Sequence, residues 1–313
     1  MRETVPAACV IPTRSRAAVL SRTLESVRRQ SSWPSSIVIC DSSVDQSTKE
    51  VCGKFVDLPI TYLRASAEGA ASQRNEAVTR LAEDVRFIWF LDDDVLLEPE
   101  CLERLWYAIQ DDFRLGGVNA MITNQQFRLS GRGGRFFLRL IGGSGDLSDA
   151  GRVIGPAMNL LPEDRDDLPE VVPVEWLNTT CTLYRREALP RPPFRDRFKG
   201  YSLMEDLALS LEVRKRGWNL ANVRTARIVH DSQPGEHKRS AATISRMELA
   251  NRHYIMRYIL DRRSLGDYAR LALLECFQLI SAVLNRRTWL SFPAVLAGKV
   301  AALSDILTAD DHQ

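Results

Sequence analysis

Four short apolar runs punctuate the first third of the chain: "AACVI" (7–11), "SIVIC" (36–40), "ITYLR" (centred on 61–64) and "RFIWFL" (86–91). Each reads as a strand, and the stretches between them carry apolar residues at helical spacing. Leu20, Leu24 and Val27 form one such stripe, and Ala70, Ala77, Val78 and Leu81 form another. "PECLERLWYAI" follows the fourth run and reads as a helix with Pro99 at an early position. Strand and helix in regular alternation predict βαβ units, an α/β class with a mostly parallel, Rossmann-like central sheet and helices on both faces. Ligands of such sheets bind beyond the carboxyl ends of the strands. "PTRSR", "CDSS" and "LDDD" all fall there, so three polar clusters are expected on one rim.

From about Gly131 to Leu168 the pattern lapses into "SGRGGRFFLRLIGGSGDLSDAG", which predicts a long mobile excursion. "VVPVEWLNTTCTLYRREAL" restores order with two strands and a turn. "YSLMEDLALSLEVRKRGW" reads as a helix with Leu203, Leu207 and Leu211 in register, a capping box from Ser202 to Glu205, and a stop at Gly217. Everything after about Arg239 reads as helical. The expected organisation is an α/β domain over 1–237, with halves at about 1–125 and 126–237, and a helical region over 238–313.

Two apolar stretches in that region fall short of spanning a bilayer on this reading. "YARLALLECFQLISAVL" carries Arg270 and Glu275, and "TWLSFPAVLAGKVAALSDIL" carries Pro293 and Lys299. They read either as helices packed on the first domain or on a second subunit, giving a homodimer, or as an amphipathic membrane-surface element. Arg257, Arg262, Arg263, Arg270, Arg286 and Arg287 beside Trp289 and Phe292 suit the second reading.

A net charge of +2 over 313 residues gives no global field for nucleic acid. The six cysteines (9, 40, 52, 101, 181 and 276) form no CxxC pair, which argues against a zinc or disulfide framework and for a reducing compartment. "MRETVPAACVIPTRSR" lacks the apolar core of a signal peptide, so a cytoplasmic location is expected.

"FIWFLDDDVLLEPE" places three aspartates directly after a buried-type strand. In extended backbone Asp92 and Asp94 share one face and Asp93 opposes them. That makes a hard-oxygen site for Mg²⁺ or Mn²⁺, or, more simply, a solvated loop start. Glu205 and Asp206 open a helix, where acidic residues also serve the macrodipole. His230 ends a strand after Ile228 and Val229; a metal-side group and an ordinary surface histidine are both open. Arg74 and Asn75 could pair with Glu76 or solvent, and Asp41 is a common turn former.

In order and content these motifs resemble the family 2 glycosyltransferases of the GT-A fold, over about residues 5–235, and among them rhamnosyltransferase-like or similar surface-glycan enzymes. "VIPTRSR", "IVICDSS", "GAASQRNEAV", "FLDDDV", "WLNTTCTLYRREAL", "EDLALSLEVRKRGW" and "ARIVHD" carry the likeness. It implies that Pro12, Thr13 and Arg14 line the nucleotide pocket and that Asp41 accepts a hydrogen bond from a pyrimidine. It implies that Arg74 and Asn75 place the nucleotide or its diphosphate. Asp92 would lie near ribose and metal with Asp93 beside it on the donor side, and Asp94 would ligate the metal. His230 would approach the metal or diphosphate, and Asp206 would be the general base. Trp176, Asn178, Thr179 and Glu205 would stand on the acceptor side. Cys40 replaces a common first aspartate, and Asn178-Thr179-Thr180 replaces a small Gly-Ala-like turn.

The implied activity is metal-dependent, inverting transfer from a UDP- or dTDP-sugar to a glycan or polyprenyl-linked hydroxyl. It would take place in the cytoplasm or at the inner face of the plasma membrane. Two other classes fit less well. A sugar-phosphate nucleotidyltransferase wants a glycine-rich loop after the first strand, and "IPTRSR" has none; a non-catalytic nucleotide- or glycan-binding scaffold would have lost a DxD aspartate or the base, and both are present.

Overall fold

A computed structural model describes residues 3–198, 200, 202–232, 240–284 and 289–310. They form two compact units, Met1–Phe127 with Leu161–Gln233, and Arg128–Leu160 with Pro234–Gln313.

The first unit is organised by its opening strand, β1 (Glu3–Thr13), which is buried without interruption from Ala7 to Thr13. Its side chains alternate between two cores. Ala7, Cys9 and Ile11 pack with α1 (Ala17–Arg28) and α4 (Cys101–Asp111), while Ala8 and Val10 pack with α3 (Ala70–Thr79) and α6 (Glu205–Lys215). Helices therefore cover both faces, which is why the strand reads as a continuous apolar run.

β2 (Ser32–Asp41), α2 (Ser47–Cys52), β3 (Ile60–Arg64), β4 (Phe87–Leu91), β5 (Val95–Leu97) and β6 (Leu115–Ile122) continue the unit. After an excursion come β9 (Val171–Val174), β10 (Cys181–Arg185) and β11 (Asn219–His230). Among the described residues nine strands make one sheet, in the order β3-β2-β1-β4-β10-β6-β11-β5, with β9 also on β11. β3, β2, β1 and β4 run parallel, as do β6 and β11, and β10 lies antiparallel between β4 and β6. The sheet is thus mostly parallel, and Thr13, Asp41, Leu91 and His230 end their strands on the same rim.

Several local expectations change. The Ser202–Glu205 capping box does not form. α6 begins at Glu205 after Met204 in left-handed conformation (φ 69°), with no side-chain cap, and Leu203 lies outside the helix. Ser202 is itself left-handed (φ 55°); its hydroxyl donates to Phe198 O at 3.1 Å and accepts from the Ala71 N–H at 3.3 Å, so it serves the start of α3. Pro99 precedes the α4 N-cap Glu100 and stands outside the first turn. Gly217 does stop α6: at φ 90° it donates to Arg214 O, and Trp218 donates to Val213 O.

The second unit holds α5 (Arg132–Leu140), a small hairpin of β7 (Val153–Ile154) and β8 (Met158–Asn159), α7 (Ala241–Tyr254), a π-helical turn (Ile255–Ile259), α8 (Leu265–Leu284) and α9 (Phe292–Asp310). The glycine-rich stretch expected to be irregular contains α5 because tertiary contacts override its weak propensity. Phe137 stacks on Phe277 with centroids 4.0 Å apart, and Leu138 is buried. Lys299 of α9 is only 4% exposed and pairs with Glu275 of α8 and, at 3.4 Å, with Glu248 of α7. Arg246 and Asp305 make a two-pronged pair at 2.7 Å between α7 and α9.

The sequence expectation about membrane spans is corrected at one place. Trp289–Thr308 is long and apolar enough to cross a bilayer by length and composition, because Lys299 and Asp305 are two charges within an otherwise apolar window. Arg286 and Arg287 lie outside the described residues.

Candidate active site

The three aspartates after β4 are separated by their partners. Asp93 turns inward, where Thr13 Oγ1 donates to it at 2.6 Å and Arg16 reaches it at 2.9 Å. Asp94 takes the other arm of the Arg16 guanidinium at 2.8 Å and stands 3.2 Å from His230 Nε2. Asp92 bonds Arg74, whose second nitrogen meets Glu205 at 3.2 Å. Arg74 is 2% exposed, so it joins the end of β4 to the start of α6 from within the protein. Two guanidinium groups thus offset the repulsion that three adjacent carboxylates would suffer in a low-dielectric rim.

Backbone contacts fix these groups. Thr23 Oγ1 donates to Asp93 O and accepts from Val95 N–H, pinning the turn between β4 and β5 against α1. Asp231 N–H donates to Asp94 O at 2.8 Å. Asn124 brackets the His230 backbone, donating to its carbonyl and accepting from its N–H, and the Gln125 amide meets His230 Nδ1 at 3.2 Å. Asp92, Asp94 and His230 each bring a ligand atom within 4.8 Å of the others. Two carboxylates and an imidazole suit Mn²⁺ or Mg²⁺, and Arg16 and Arg74 place positive charge on the same two aspartates.

The titration behaviour follows from these contacts. Burial would raise Asp94, but hydrogen bonds from His230 and Arg16 outweigh it and bring its pKa down to about 2. His230 is raised by its bond to Asp94, against a smaller opposing effect of burial. Burial raises Asp93 to about 7 despite Arg16 and Thr13. Glu205 and Asp206 are both pushed up, chiefly by desolvation, with Arg74 opposing.

Glu205 does not serve the cap that its spacing from Ser202 suggested. Glu205 is committed to Arg74, while Asp206 Oδ1 accepts from the Leu207 N–H at the helix start. No side chain among the described residues donates to the Asp206 carboxylate.

The family model for glycosyl transferase family 2 matches residues 8–190, which takes in β1 to β10 and the aspartate cluster. The chain belongs to this family. No curated protein matches the chain significantly. Among solved structures this family 2 glycosyltransferase is similar to the mannosyltransferase PcManGT from Pyrobaculum calidifontis, in complex with GDP-Man and Mn²⁺. That likeness has a TM-score of 0.53 and 15% identity, over 97% of this chain and 88% of that one. It is also similar to S. aureus TarS 1-349, with a TM-score of 0.56 and 14% identity over 96% and 81% of the two chains. GalNAc-T7 with UDP, GalNAc and Mn²⁺ gives 0.54 and 17% over 78% of this chain and 47% of that one. At such identities the likeness is one of fold, GT-A.

Within the family 2 domain the remaining residues singled out from sequence fall in different settings. Asp41 is fully buried; Oδ1 accepts from the Ser43 N–H and hydroxyl and Oδ2 from Tyr62, which closes an Asx turn. Asn75 donates to Phe194 O and accepts from Phe194 N–H, so both its polar ends hold that segment. Pro12 is buried at the end of β1, and Arg14 pairs with Glu68. Trp176, Asn178 and Thr179 are buried in a segment tied to α6 through Leu177 and Ser210, and to Asp92 through Thr180, whose carbonyl accepts the Asp92 N–H at 2.9 Å. Asn178 Oδ1 is buried without a hydrogen-bond partner among the described residues.

Sequence reasoning missed Arg16, Gln73, Thr23 and Gln125. Gln73 is buried, and its amide donates to Thr13 O and Cys40 O, joining two strand ends to α3. The available signal for Arg16 was a second arginine in "PTRSR"; for Gln125 and Thr23 the spacing offers none.

Proposed function

We propose that this family 2 glycosyltransferase moves a sugar from a nucleotide diphosphate to a hydroxyl with inversion at the anomeric carbon. The observation that carries the reading is the Asp92–Arg74–Glu205 bridge, which joins a metal-capable cluster to the start of the helix bearing the Asp206 carboxylate.

In this reading Asp92, Asp94 and His230 hold Mn²⁺ or Mg²⁺. When bound, the cation supplies Lewis-acid stabilisation of the charge that develops on the departing diphosphate. The proton transfer falls to the protein's own residues. Asp206 Oδ2 accepts the proton of the attacking hydroxyl, and its raised affinity for protons suits a general base. Oδ1 is anchored on the Leu207 N–H, which fixes the direction of the other oxygen. Attack from the side opposite the leaving group gives inversion, and a single base suffices because a diphosphate leaving group needs no protonating acid of the kind glycosidases carry.

Asp93 and Arg16 act as supports, setting the orientation of Asp94 from behind. Asn178, with its buried unpaired oxygen, supports an acceptor or donor hydroxyl on that side. The donor is a UDP- or dTDP-sugar in this proposal, although Asp41 is engaged in its own turn, so the nucleobase reading rests on family resemblance. The acceptor is a glycan or polyprenyl-linked hydroxyl, and the protein works in the cytoplasm at the inner face of the plasma membrane. Five of its six cysteines are buried free thiols, as suits that compartment.

Thermal shift with UDP, dTDP and GDP, each with and without Mn²⁺, tests the first part. A Mn²⁺-dependent rise for one nucleotide is expected, and no response to any of the three overturns the transferase reading.

A further inference from the structure

The second unit turns much of its apolar surface outward. Leu273, Phe277, Ile280 and Leu284 are exposed on α8, and Leu296, Val300, Leu303 and Leu307 are exposed on α9. Both sets follow the same i, i+4, i+7, i+11 spacing, so each is one stripe along its helix. No exposed position of α8 after Arg270, and none of α9 among those described, carries a charge. Glu275 and Lys299 are buried against each other, and Asp305, its side chain partly exposed, is paired with Arg246. Helices that pair off their charges and show their leucines are built for a non-aqueous neighbour.

α5 borders this surface through the Phe137–Phe277 stack. Phe136 and Leu140 are exposed one turn apart on it, with Arg132, Arg135 and Arg139 along the adjoining strip. Arg132 has no acidic partner among the described residues, and Arg135 and Arg139 donate to the carbonyls of Gly145 and Ser144. Among the described residues none of the three is in an ion pair, although Asp146 lies near enough to feel Arg139 and Arg135.

We infer that the second unit docks in the plane of an anionic lipid bilayer, with the α8 and α9 stripes in the acyl boundary and the α5 arginines at the phosphates. Charge complementarity selects this occupant. A second copy meeting the same face about a two-fold axis would set like charges against like, with no exposed acid on the α8 or α9 stripes to receive them. A spanning α9 conflicts with its packing along α7 and α8, which hold Lys299 and Asp305 in ion pairs. This inference is independent of the catalytic reading, since none of these residues belongs to the aspartate cluster.

Co-sedimentation of the full chain with phosphatidylcholine vesicles, alone or mixed with phosphatidylglycerol, tests it. Pelleting with the mixed vesicles, little with the neutral ones, and release by salt are expected. The double variant R132E/R139E should lower partitioning at least about tenfold, since each arginine near an anionic surface is worth roughly fivefold. V300D/L303D should abolish binding while keeping the circular dichroism melt; if that variant unfolds, R132E/R139E, altered only at exposed arginines, decides alone. No pelleting with either vesicle, equal pelleting with both, or retention through alkaline carbonate extraction overturns the inference. So does a concentration-dependent dimer that Val300→Asp dissociates while wild type ignores vesicles.

Discussion

His230 Nε2 lies 3.2 Å from Asp94 Oδ1, while the other ring nitrogen of the same imidazole meets the Gln125 amide at 3.2 Å. The ring is therefore held from both sides, with its metal-capable nitrogen directed at the aspartate. For Nε2 to ligate a cation, Nδ1 must carry the ring proton and the Gln125 amide must present its oxygen to it; support of that kind on the far nitrogen sets tautomer and orientation, and its loss typically costs about 10–100-fold in metal affinity. Gln125→Ala is expected to weaken Mn²⁺ binding within that range. Asp94→Ala, which deletes a ligand, should weaken it further. Calorimetric Mn²⁺ titration in the presence of nucleotide measures both, and an unchanged affinity for Asp94→Ala removes it from the ligand set.

Asp206→Asn keeps the shape of the side chain and an oxygen for the Leu207 N–H but loses the base. Turnover is expected to drop by about 10²–10⁴-fold, with nucleotide affinity nearly unchanged. Radiolabelled sugar transfer and equilibrium nucleotide binding on one preparation separate the two effects. A variant that retains its turnover would show that another group takes the proton.

The pH profile should carry the same signature. Desolvation raises Asp206 above the ordinary aspartate range, so its basic form is lost at a higher pH than for an exposed carboxylate. The acid limb of turnover is expected above the ordinary value of about 4. A limb at or below that value would contradict the assignment.

Arg74→Ala should be severe for stability. It leaves Asp92 and Glu205 facing one another without their shared cation, and breaking a buried pair from one side costs about 3–5 kcal/mol. Urea denaturation reads this directly. Glu205→Gln, which relieves the charge yet keeps a hydrogen-bond acceptor, should recover part of the loss when combined with Arg74→Ala.

Asp93 gives a stability prediction with a definite sign. Its folded pKa of about 7 exceeds the unfolded value of about 4, so the folded state binds more protons between them. Stability from this group is full below the unfolded value and is lost as pH rises towards 7. Asp94, lowered to about 2, changes its contribution only below about 4 and leaves this window undisturbed. Asp93→Asn should reduce the slope of unfolding free energy between these limits, leaving the part that the raised Glu205 and Asp206 supply; an identical slope in wild type and variant would refute the role.

The sheet was legible because strands buried on both faces leave apolar runs that no other element imitates at such length. The rim was legible too, since Thr13, Asp92 and His230 each follow or end such a run. What escaped depended on distant contacts. Ser202 stands three residues before Glu205 as a cap would, yet its hydroxyl serves α3, more than a hundred residues earlier in the chain. α5 forms in spite of Gly133 and Gly134 because Phe277 awaits Phe137. Arg16 and Arg14 are equivalent on paper, and only the turn after β1 decides that the former meets Asp93 and Asp94 while the latter meets Glu68.

Lys299 carries a practical lesson about trimming. The last helix is the obvious one to delete from a poorly soluble preparation, since so many of its leucines face outward. Yet a chain cut before residue 299 deprives Glu275 and Glu248 of a cation inside the bundle. Shortening should therefore yield a less cooperative, more aggregation-prone product, and repainting the outer leucines with polar side chains is the safer route to a tractable protein.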